Sequence, residues 1–167
     1  MTKFISEDQI EVTIAALDAD EEAFAEAIET FKAEQPVIFS YFFSESAKLL
    51  TQAEREFLFY LGIIIWKSIH TNWPHTIPTI TEEQLGAAEE INWTLLESTN
   101  SKNFNDRLNP FFEDSPQEDL LAFVEDMLVP EVGNYDLSKE GREPIFVVLK
   151  SIIDCLTKNG CPFKKNG

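Results

Sequence analysis

His70 and His75 are the only histidines in the chain, and they bracket Trp73 and Pro74. Two imidazoles beside carboxylates could act as a base and its orienter. No cysteine lies near them, and no serine sits in a glycine-rich turn, so no nucleophile matches the pair. A loop histidine is more often a surface group or a helix C-cap, and the sequence assigns no catalytic residue. Cys155 and Cys161 are the only cysteines, with five residues between them. That exceeds the two to four of a zinc knuckle. They read as reduced thiols of a cytoplasmic protein. Residues 103–114, NFNDRLNPFFED, offer Asn103, Asn105 and Asp106 but lack the glycine of a calcium loop, and Pro110 intrudes. No glycine-rich phosphate loop is present. The expectation is a non-enzymatic chain with no cofactor and no metal. A small enzyme or metal protein using the His70–His75 loop is the alternative.

The more unusual chemistry lies in residues 81–98. Glu82 and Glu89, and Glu83, Glu90 and Glu97, recur at seven-residue offsets, which on a helix gathers them on one face. Carboxylates seven residues apart stand about 10 Å apart along the axis, too far for one ion to bridge. Leu85, Ala88, Ile91, Leu95 and Leu96 should meet the core. Trp93 then falls in the middle of the acidic face, with Gly86 one heptad before it. An indole ringed by carboxylates suits a basic protein: the ring supplies apolar area and the charges steer approach. The site expected for a partner is therefore Trp93 with Glu82, Glu83, Glu89, Glu90 and Glu97. If the phenylalanines after residue 99 fold back over the indole, the glutamates are ordinary solvated groups.

Charge is segregated in the same sense. The net charge is -17, from 30 acidic and 13 basic residues. Residues 1–35 carry -8, residues 36–80 none, residues 81–132 carry -11, and residues 133–167 carry +2. Such a field repels nucleic acid and anionic lipid and attracts basic proteins. Nucleic-acid binding needs a basic face, and Lys158, Lys164 and Lys165 are too few. The acids of the first two helices (Glu7, Asp8, Glu11, Asp18, Asp20, then Glu21, Glu22, Glu26 and Glu29) could imitate duplex phosphates, as a nucleic-acid mimic would, or serve as a solubilising coat.

The elements that must position these groups read as all-α. With 44% hydrophobic residues and 14 phenylalanines, the chain has the apolar content to fold. Ser6 with Gln9 begins a first helix reaching Leu17, and Asp20 caps a second to Glu34. Pro36 opens a third to Leu50. Thr51 with Glu54 caps a fourth to His70. Its segment FLFYLGIIIW, residues 57–66, is apolar almost all round, which predicts a central helix. Ten residues are too few for a membrane span, which needs about 20. The start, MTKFISEDQIEV, lacks an apolar signal core. Residues 70–81 are a loop in which Trp73 is expected to pack inward, and Thr81 caps a fifth helix to Ser98. Residues 99–115 read as a structured loop with at most one helical turn. Ser115-Pro116 opens a sixth helix, residues 132–142 are a loop, and Glu143-Pro144 starts a seventh. The prediction is one domain over 1–160, a bundle of six to seven helices around residues 54–70, with a mobile tail over 161–167. It is expected to be a monomer or homodimer in the cytoplasm, off nucleic acid and membrane, and to contact a basic protein partner.

Overall fold

A computed structural model describes residues 4–44, 49–73, 76–113, 115–128 and 139–157, the last segment with side chains from residue 141. His75, Cys161, the tail over 161–167 and most of the expected loop over 132–142 lie outside the described residues. The described residues form eight helices and no strand. They are α1 (Glu7–Ala19), α2 (Glu21–Glu34), α3 (Pro36–Tyr41), α4 (Gln52–Asn72), α5 (Glu82–Glu97), α6 (Phe104–Glu113), α7 (Glu118–Met127) and α8 (Lys139–Thr157).

Local chemistry starts four of them. The side chains of Ser6, Thr51 and Thr81 each accept a backbone N–H three residues on, and Gln9, Glu54 and Gln84 bond back to the cap N–H. These reciprocal boxes satisfy donors the helix itself cannot. Asp20 caps α2 by accepting from the Glu22 N–H. The α3 helix is shorter than its aromatic run predicts. After Tyr41 the backbone tightens into three-residue bonds, Phe43 N–H to Ser40 O at 2.9 Å and Ser44 N–H to Tyr41 O at 3.1 Å. That turn delivers the Phe42 ring onto Gly62 in mid-α4.

Two helices form the centre. In α4, Phe57, Leu58 and every residue from Leu61 to Trp66 are buried, as the apolar circumference predicts. In α8, every residue from Ile145 to Thr157 is buried. The α8 helix packs on α4, α5 and α7, while α1 lies against α2, α4 and α7. Phe31 stacks on Trp66 at 5.1 Å between ring centroids, and Phe111 meets Phe146 edge-on at 5.0 Å. Trp73 is buried. None of the described helices is long and apolar enough to cross a membrane.

Three further elements differ from expectation. The stretch 99–115 contains α6, with Pro110 inside it. Leu108 and Phe111 are buried and hold it, so packing overrides a poor local propensity. The α7 helix begins at Glu118 rather than at Pro116. The α8 helix begins at Lys139, upstream of the Glu143-Pro144 start. Its Gly141 is a packing necessity: a Cβ there would stand 2.7 Å from Glu54 Cδ, the carboxyl carbon of a buried side chain.

Candidate interaction surface

The buried stripe of α5 runs Leu85, Ala88, Asn92 and Leu96. Asn92, not Ile91, faces the core. Its Nδ2 donates to Ser151 Oγ at 3.0 Å and to Asp154 Oδ2 at 3.2 Å on α8. This polar anchor turns the helix relative to the apolar face read from sequence, and Ile91 is left 54% exposed. The turn also moves Trp93. The indole is half-buried and packs on the edge of the core rather than standing proud amid the acids.

Glu82, Glu83, Glu90 and Glu97 are exposed and Glu89 is half-buried. At about 100° per residue, Glu83, Glu90 and Glu97 follow the outward crest of the helix. Trp93 lies on one flank of that ridge and Ile91 on the other. No described cation lies within ion-pairing distance of any of the five glutamates. Glu89 instead faces Tyr41 of α3. Burial first, and then this carboxylate, push the Tyr41 hydroxyl above the usual tyrosine range. The hydroxyl has no partner in good hydrogen-bond geometry.

Under the Ile91 flank lies a cavity of about 270 Å³ among α5, α6 and α8. Lys150 and Asp154 reach its floor. Lys150 Nζ donates to both carboxylate oxygens of Asp154 at 2.7 Å, and the ammonium lies 5.9 Å from the Phe111 ring centroid. With Asn92 and Ser151 they make a polar network inside an apolar wall. The sequence reading passes over both charged residues. The visible signal is an i,i+4 pair of opposite charge, Lys150 and Asp154, set in the apolar run IFVVLKSIIDCL.

The other candidates are placed as follows. His70 is half-exposed, with Nε2 3.3 Å from Glu34 Oε1 and its ring against Trp66. Among the described residues, no three His, Cys, Asp or Glu side chains converge to hold a metal ion. Cys155 is buried, its thiol donating to the Gln84 carbonyl at 3.6 Å. The acids of α1 and α2 from Glu7 to Glu29 are all exposed. An apolar groove of about 460 Å³ lies among Phe24, Phe42, Phe43, Phe59 and Tyr60. The chain matches no family model, no curated protein and no solved structure in comparisons with known proteins.

Proposed function

We propose that the chain is a non-enzymatic interaction domain of the cytoplasm that recruits a basic protein partner through α5. One observation carries this reading. Glu83, Glu90 and Glu97 form an exposed ridge with no described cation in ion-pairing reach, and it is edged by exposed Ile91 and half-buried Trp93. An apolar anchor beside unneutralised charge is the arrangement that gives both steering and grip. Ile91 takes over part of the anchoring role that the sequence assigns to Trp93 alone. The scarcity of cysteine supports the cytoplasmic assignment. The same acidic field argues against nucleic acid as the partner.

The test is affinity capture from the native cell at low salt, run with the natural chain and with Glu83→Lys/Glu90→Lys as baits. The expected result is a set of basic proteins held by the natural chain, released as ionic strength rises, and absent from the variant. Identical captures on both baits would remove α5 from the interaction.

A further inference from the structure

We propose that the groove between α1 and α7 is a docking site for a cationic amphipathic helix of a partner protein. This goes beyond the reading of α5 and uses none of its residues. The groove encloses about 420 Å³. Ile10 and Ile14 of α1 and Phe123 and Met127 of α7 make an apolar floor. All but Ile10 are only half-buried, so apolar surface remains for an incoming side chain to cover. The carboxylates of Glu7, Glu11, Asp119 and Asp126 form the rims.

The charge is one-sided. Together α1 and α7 carry eight carboxylates and no lysine or arginine. No described cation pairs with any of the eight. Crowding is felt at Glu125: burial first, and then neighbouring Asp126, raise its carboxyl above the ordinary glutamate range. A cationic partner would relieve that repulsion while its apolar stripe filled the floor. An anionic membrane or a nucleic acid would add to it.

Geometry selects a helix. Floor residues recur four apart on each wall, Ile10 with Ile14 and Phe123 with Met127, so the groove repeats with a helical turn. The 13 residues of α1 span about 20 Å, which matches an occupant of roughly three to four turns. One end is fixed in advance. The Glu7 N–H donates to Asp119 Oδ2 at 2.9 Å, and the Ile5 N–H donates to Gln117 Oε1 at 3.1 Å. The walls are therefore set before a partner arrives, which lowers the ordering cost of binding. Laying an apolar helix face into such a groove is a common mode of recognition. Met127 adapts the floor to different side chains.

The probe is a synthetic fluorescent 14-residue peptide with leucines one helical turn apart and lysines on the opposite face, titrated by anisotropy. A control peptide keeps the lysines and replaces each leucine by serine. Two variants carry the same change of charge: Glu11→Lys/Asp126→Lys in the groove and Glu83→Lys/Glu90→Lys on α5. All four positions are exposed, and circular dichroism confirms folding. The groove pair should weaken the leucine peptide by roughly tenfold or more, and the α5 pair by less than about twofold. The neutral pair Glu11→Gln/Asp126→Asn should fall between. The serine peptide should bind the natural chain at least about tenfold more weakly. Equal losses in the two reversal variants, equal affinity for the two peptides, or no binding of the leucine peptide would overturn the proposal. Loss in the α5 variant alone would overturn it while leaving the α5 reading standing.

Discussion

Gly62 and Gly86 should respond in opposite ways to the same substitution. Both lie inside helices, α4 and α5, where alanine is favoured over glycine by about 0.5–1 kcal/mol. At Gly86 an added Cβ meets nothing within 4 Å. Gly86→Ala should keep the full gain, raising the melting temperature by roughly 1–4 °C in a chain of this size. At Gly62 the Cβ would stand 2.8 Å from Phe42 Cε1 and overlap the Cζ end of the ring. Phe42 is held edge-on against Phe31 at 5.9 Å and Phe59 at 5.6 Å. Displacing the ring sacrifices contacts worth about 0.5–1.5 kcal/mol each. Overpacking of this kind costs about 1–3 kcal/mol, so against the helix gain the net effect of Gly62→Ala is a loss of about 0–2.5 kcal/mol. Urea unfolding of both variants measures this. The deciding arm is Gly62→Ala in a Phe42→Leu background. With the ring removed, the substitution should turn stabilising, and the double-mutant cycle should return a favourable coupling. If Gly62→Ala stabilises the natural chain as much as Gly86→Ala does, the seating of the Phe42 ring on α4 is refuted.

Two further outcomes follow from buried polar groups. Lys150→Met removes both 2.7 Å bonds to Asp154 and should cost about 3–5 kcal/mol by denaturant titration, whereas Lys150→Met/Asp154→Leu should recover most of it; a double variant as unstable as the single one refutes this account. For Tyr41, a folded-state pKa above the unfolded one means its contribution is complete below the unfolded value, about 10, and is lost as pH climbs beyond it. The urea midpoint should therefore fall between pH 9 and pH 11, and fall less steeply in Tyr41→Phe; equal slopes would show that the hydroxyl does not sense its burial or Glu89.

What the sequence discloses about this fold depends on how local the cause is. Ser6, Asp20, Thr51 and Thr81 begin helices through bonds spanning two or three residues, and each is legible as a cap. The central place of α4 is equally legible, because an apolar circumference has few other uses. The α6 helix is not, since asparagine, serine and Pro110 argue for a loop and the contrary force comes from Phe146, far along the chain. The α8 start is hidden for a similar reason: Gly141 answers to Glu54, 87 positions earlier. The acidic ridge of α5 is readable from spacing, but its orientation is not. Asn92 is drawn inward by Ser151 and Asp154, and a wheel built on hydrophobicity alone gives that place to Ile91. The groove between α1 and α7 belongs to two helices distant in sequence, and only their packing creates it.

The burial of α8 from Ile145 to Thr157 dictates an order of events during synthesis. The residues from Ile145 to Thr157 are enclosed by α4, α5 and α7, all translated earlier. Until that helix leaves the ribosome, the faces that α4, α5 and α7 turn toward it stay uncovered, and the nascent polypeptide carries open greasy surface in water. A chain cut short before α8 is therefore a sticky fragment for chaperones and proteases to clear.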